Sequence, residues 1–104
     1  MLQDTYQMIN HRLFDGELPE CNIYWLEGSD WFDYPIDGIH TCYIFDDGHI
    51  EHFIGIPHNL DIVKYFNAMV HEMIHAWQIE NSKPHNHGKL FKSWCKKAYE
   101  EFYE

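Results

Sequence analysis

Apolar residues near the start of the chain recur at helical spacing. Leu2, Tyr6, Ile9 and Leu13 fall on one face of a helix predicted over Met1 to Phe14. Asp15-Gly16 supplies the stop, since glycine tolerates the left-handed backbone that follows a helix, and Leu18-Pro19 leads the chain away. The period then shortens. Asn22-Ile23-Tyr24-Trp25-Leu26 reads as a short strand rich in branched and aromatic residues. The next stretch, EGSDWFDYPIDG, carries the breakers Gly28, Pro35 and Gly38 and predicts irregular chain. Ile39 to Phe45 and Ile50 to Ile56 predict two further strands. Asp46-Asp47-Gly48 joins them, and Asp-Gly at such a junction favours a tight hairpin turn. Pro57 is expected to end the second of these strands.

Helical spacing returns in the second half. Asn59 or Asp61 can cap a helix running to about Asn81, with Ile62, Phe66, Met69, Met73 and Trp77 on its buried side. Asn81-Ser82-Lys83-Pro84 ends it, because proline cannot continue the hydrogen-bond ladder. A last helix, from Gly88 or Lys89 to about Phe102, is expected to bury Phe91, Trp94, Cys95 and Ala98. The order is helix, three strands, helix, helix, without repeats or low-complexity segments. It predicts one α+β domain over residues 1–104.

Composition supports a folded domain. The chain has 104 residues, of which 45% are hydrophobic and 17% aromatic, enough for one modest core and too much for a disordered chain. No apolar run approaches the roughly 18 residues a membrane span needs. The opening MLQDTYQMINHRLF lacks the basic start and continuous apolar stretch of a secretory signal. Cys21, Cys42 and Cys95 are odd in number, far apart and without a CxxC, which disfavours a disulfide framework or a cysteine-rich zinc site. Together these features predict a cytoplasmic protein with reduced thiols and no membrane partner.

The formal net charge of −10 makes the chain a poor general binder of nucleic acid. The charge is unevenly spread. No Lys or Arg lies between Arg12 and Lys64, whereas Lys83, Lys89, Lys92, Lys96 and Lys97 follow one another with no acid among them. That stretch is either a solvated helix face or a local basic stripe.

The candidate chemistry sits in HEMIHAWQ, His71 to Gln78. Residues i and i+4 share a helix face, so His71 and His75 stack about 6 Å apart along the axis. Their imidazoles can converge on one ion. Glu72 lies beside that ion, where its carboxylate can take a proton from a water molecule. This is the division of labour in an HExxH metallopeptidase. A catalytic zinc usually keeps three protein ligands and one open position. The pattern HExxHxxGxxH would need glycine at position 78 and histidine at 81, and the chain has Gln78 and Asn81. Glu100 and Glu101 lie far along the last helix. PHNHGKLF is the better source: after the turn at Pro84, either His85 or His87 could return to the metal, with Gly88 allowing close backbone approach.

These residues resemble the SprT-like zinc metallopeptidase family, which includes the Spartan-type DNA-dependent proteases. The resemblance covers most of the chain: a first helix running into Asn10, Leu13-Phe14, Gly16 and Leu18-Pro19, a strand with Trp25, the motif His71-Glu72-Met73-Ile74-His75-Ala76, and His87-Gly88 with Phe91, similar to the family's HGxxF segment. It implies a minimal zincin-like fold: an N-terminal helix, a small three-stranded sheet, the HExxH helix and a C-terminal helix. It implies one Zn2+ per chain on His71, His75 and His87, choosing His87 over His85, with Glu72 as general base in the hydrolysis of a protein or peptide substrate. It also implies that the strand Ile50 to Ile56 offers an edge to an extended substrate, as in zincins generally. Many family members continue into a zinc ribbon or other DNA-binding region. No such cysteines stand in these 104 residues, and with the acidic charge DNA dependence is not carried over. Two alternatives accompany this expectation. One is a zinc-stabilised protein-interaction module without proteolysis. The other is a DNA-associated protease using the Lys83–Lys97 stripe.

The remaining histidines carry weaker expectations. His85 is expected to be solvent-exposed unless it serves as an outer-shell donor or alternative ligand. His49 and His52 flank Ile50-Glu51, and their odd spacing puts them on opposite strand faces, poor partners for one ion. His11, His40 and His58 are expected to be isolated. Trp25, Trp31, Trp77 and Trp94 are expected in the core or a cleft wall. No motif singles out a tyrosine to stabilise an oxyanion.

Overall fold

Helix α1 spans Leu2–Phe14 and buries Tyr6, Ile9 and Leu13 as their spacing predicts, together with Asn10 and Phe14. Asp15 itself takes the left-handed conformation, φ 55°, so the helix stops one residue ahead of Gly16. The buried Asn10 amide then clasps the chain that follows. It donates to the Leu18 carbonyl and accepts the Leu18 N–H, each at 3.0 Å. Both ends of a buried amide are thereby satisfied, and Leu18 folds back into the core. This computed structural model describes residues 1–26, 38–58 and 60–103. The predicted irregular stretch apart from Gly38, with Trp31 in it, and the alternative cap Asn59 lie outside the described residues.

Three strands follow: β1 (Asn22–Leu26), β2 (Ile39–Ile44) and β3 (Ile50–Pro57). They form a mixed sheet in the order β1-β3-β2, with β1 parallel and β2 antiparallel to β3. The expectation that Ile50 to Ile56 presents an edge is therefore overturned. β3 is the middle strand, hydrogen-bonded on both sides, and among the described residues β2 and β1 are the edges. The hairpin seats β2 on one side of β3, and β1 pairs with the other. Strand order of this kind is a long-range result that strand patterning does not report. Pro57 still pairs, opposite Leu26, as the last residue of β3, while Phe45 falls outside β2. Asp46, Asp47 and Gly48 form a three-residue loop closed by Phe45 N–H to the His49 carbonyl at 2.8 Å, with Gly48 at φ 91° where a side chain would be strained.

The inner face of β3 carries His52, Ile54 and Ile56, all 0% exposed. Helix α2 (Ile62–Glu80) packs there, with Met69, Met73 and Ile74 wholly buried. Burying each such side chain contributes about 1.5–3 kcal/mol. Asp61 caps α2 by accepting the Lys64 N–H at 2.9 Å. Ile62, expected on the buried side, is 72% exposed, because the first turn of α2 overhangs the core. Helix α3 (Lys89–Phe102) buries Phe91 and Ala98 and leaves Trp94 half-buried. Cys95, also expected inside, is exposed. Trp94 fills the junction of the helices, 4.7 Å from Phe14 and 4.9 Å from Trp77 between ring centroids. Arg12 ties α1 to α3 through Glu101 at 2.8 Å.

Among the described residues the result is an α+β arrangement of three helices against a three-stranded mixed sheet. Cys21, Cys42 and Cys95 are free thiols. Among the described residues no helix is long and apolar enough to cross a membrane.

Candidate metal centre

Helix α2 delivers His71 and His75 one turn apart, and Asn81 to Gly88 carries the chain back to the start of α3. His87, in that return, lies between the other two. Its Nε2 is 3.1 Å from the Nε2 of His75 and 3.1 Å from the Nε2 of His71. The three ligand nitrogens all lie within 4.8 Å of one another. A neutral imidazole carries one N–H, so three Nε2 atoms facing one point cannot all be satisfied by one another. Three convergent imidazole nitrogens could hold a cation, for which the usual distance is about 2.0–2.1 Å.

The tautomer of His75 is settled by its neighbours. Gln78 Nε2 donates to the Asn86 carbonyl at 2.9 Å, which leaves Gln78 Oε1 to face His75 Nδ1 at 2.8 Å. An amide oxygen only accepts, so His75 carries its proton on Nδ1 and presents a bare lone pair at Nε2. That is the state a metal ligand requires. Gln78 is 1% exposed, and its other bond holds the loop between His85 and His87. Sequence reasoning used Gln78 only to exclude a pattern. Its place three residues after His75, on the same helix face, was the signal that could have found it. Phe91, in the first turn of α3, packs against all three rings, with centroids 4.8, 5.0 and 4.7 Å from those of His71, His75 and His87.

Glu72 is buried, and burial alone raises its carboxyl from 4.5 to about 7. It lies against the start of β2. A Cβ at Gly38 would come within 3.2 Å of Glu72 Cγ and Oε2 and 3.3 Å of the Gly55 carbonyl. Gly38, read from sequence as a breaker, is where β2 comes up against this carboxylate. A groove of about 470 Å³ opens beside His71, lined by Phe66, Val70, Ala98, Tyr99 and Tyr103 among others.

A second set of histidines lies next to the first, and here the expectation for His40 fails. His40, expected to be isolated, bonds through Nε2 to His52 Nδ1 at 2.9 Å and through Nδ1 to His85 Nε2 at 3.3 Å. His52 Nε2 continues to the Glu80 carboxylate at 2.7 Å. His85 is exposed, as expected, but its ring stacks on His75 at 4.2 Å and 22°. Burial, then the neighbouring histidine charges, holds His40 down at about 3. Burial likewise lowers His75. His49 stays at the hairpin, away from His52, with Glu51 4.0 Å off. The sheet explains the miss. His40 and His52 belong to different strands, and only the antiparallel register, with Cys42 opposite His52 and His40 opposite Ile54, brings them together on one face.

Lys83, Lys89, Lys92, Lys96 and Lys97 are all exposed, and Lys97 lies over the Trp94 ring at 4.6 Å. No family model matches the chain, and no curated protein or solved structure matches it significantly.

Proposed function

We propose that the chain is a zinc-dependent endopeptidase of the SprT-like kind, a minimal zincin over residues 1–104. The observation that carries the reading is the meeting of the His71, His75 and His87 Nε2 atoms with Glu72 alongside. Those three imidazoles would hold one zinc ion, and Gln78 and Phe91 would orient them. When bound, the ion supplies Lewis acidity in the cleft. Glu72 takes a proton from the attacking water and returns it to the leaving amine, the work of a general base and then acid. A carboxyl near 7 in the free cleft is poised for both transfers, and a nearby cation favours its ionised form.

An extended peptide would add to β2, which has β3 on one side only among the described residues and whose start abuts Glu72. The apolar groove beside His71 suits a neutral substrate side chain. Three free thiols fit a cytoplasmic setting.

The test is metal analysis paired with a peptide-library digest of wild type and Glu72→Gln. About one zinc per chain in both, with cleavage lost 100- to 10,000-fold in the variant, supports the reading. Zinc in both and cleavage by neither would leave a zinc-stabilised interaction module. Absence of zinc at micromolar supply would end the metal reading itself. DNA dependence rests on the exposed lysines alone. It would appear as cleavage stimulated by DNA and weakened by Lys92→Glu with Lys96→Glu.

A further inference from the structure

Glu80, His52, His40 and His85 form an unbroken string from the last residue of α2, across β3 and β2, to the loop that carries His87. The string has a direction. A carboxylate offers only acceptors, so Glu80 requires the His52 proton on Nε2. His52 Nδ1 is then a lone pair and must accept from His40 Nε2. His40 Nδ1 is in turn a lone pair and must accept from His85 Nε2. Each neutral ring has one proton to give, and one acceptor at the far end decides where all three sit. His52 is 0% exposed, so its orientation is held by packing as well as by these bonds. The last ring, His85, lies flat on His75 at 4.2 Å.

We propose that Glu80, His52 and His40 are positioning residues that fix the tautomer and plane of His85, and that His85 in turn holds the His75 imidazole in its metal-binding orientation. The string complements Gln78. Gln78 sets which nitrogen of His75 is bare, by a bond in the ring plane, and His85 limits tilting of that ring by covering its face. The inference rests on the metal-site reading but not on proteolysis. Groups behind a metal ligand typically contribute 10- to 100-fold to metal affinity.

The experiment compares wild type, Glu80→Leu and Glu80→Gln. Leucine removes the terminal acceptor, whereas the glutamine oxygen can still accept from His52. Zinc affinity is measured by competition with a chromophoric chelator, and the histidine tautomers of the zinc-free proteins are read from their side-chain 15N shifts. Expected are an Nε2–H tautomer at His85 in wild type and Glu80→Gln, its loss in Glu80→Leu, and zinc binding about tenfold weaker in Glu80→Leu with rescue in Glu80→Gln. Should Glu80→Leu fail to fold, His40→Phe cuts the string while keeping a ring in place, and the same two changes are expected. A folded variant with wild-type affinity and wild-type tautomers overturns the string alone. Wild type that binds no zinc overturns the metal reading and this inference together.

Discussion

The chain has nine histidines, and six of them meet in one region by two different routes. His71, His75 and His87 come from one helix and the loop after it, within a separation of 16 residues. The string through His40 and His52 draws on two strands, the end of α2 and that same loop, and its bonds join residues 12, 28 and 45 apart. The first group is assembled by helix pitch and a proline-ended turn, the second by strand register. The difference teaches where each kind of chemistry sits. The three Nε2 atoms that meet are delivered by short-range geometry, while the His40–His52 contact beside them is delivered by the sheet.

Four outcomes would break or sharpen that contrast. The largest effect belongs to the locally built group: His75→Ala should abolish stoichiometric zinc binding, whereas His52→Phe should only weaken it. Equilibrium dialysis on both reads the contrast, and equal losses would erase it. Next, in wild type, zinc at 100 times its Kd should add about 2.7 kcal/mol to stability, which a chelator should remove in a thermal melt.

The third concerns Glu72 in the zinc-free protein. Its carboxyl keeps a proton up to about pH 7 in the fold but releases it near 4.5 when unfolded. Between those values the unfolded state binds fewer protons, so stability falls as pH rises. Glu72→Gln lacks this loss. It should exceed wild type by about 3 kcal/mol at pH 8, shrinking toward nothing below pH 4.5, in urea unfolding. His40 acts in the opposite sense. With its folded value held at about 3, stability is lost as pH falls below the ordinary histidine range, equally in both proteins. The smallest effect is that of Gln78→Leu, which frees His75 Nδ1 and the Asn86 carbonyl together. Zinc affinity should fall 10- to 100-fold with the helix intact by circular dichroism.

Much of the architecture was legible in the residues. Tyr6, Ile9 and Leu13, then Met69 and Met73, kept the helical period that a single buried face demands, and the Asp-Gly loop closed its hairpin where expected. His71, Glu72 and His75 needed only a helix to be placed, and Pro84 with Gly88 bounded the return that brings His87 in. Ile62 and Cys95 misled because apolar character says a residue can be buried, not that a neighbour exists to bury it.

What the sequence determined by itself is therefore the set of elements and the stacked histidine pair on α2, since both follow from bonds and side-chain directions within a few residues. The tertiary structure alone decided that β3 is the middle strand, that Gly38 comes up against Glu72, and that His40 and His52 join a string ending on His75. Those are choices of strand order and register among residues far apart in the chain. Their energy comes from closing the whole sheet against α2, and no local pattern carries it.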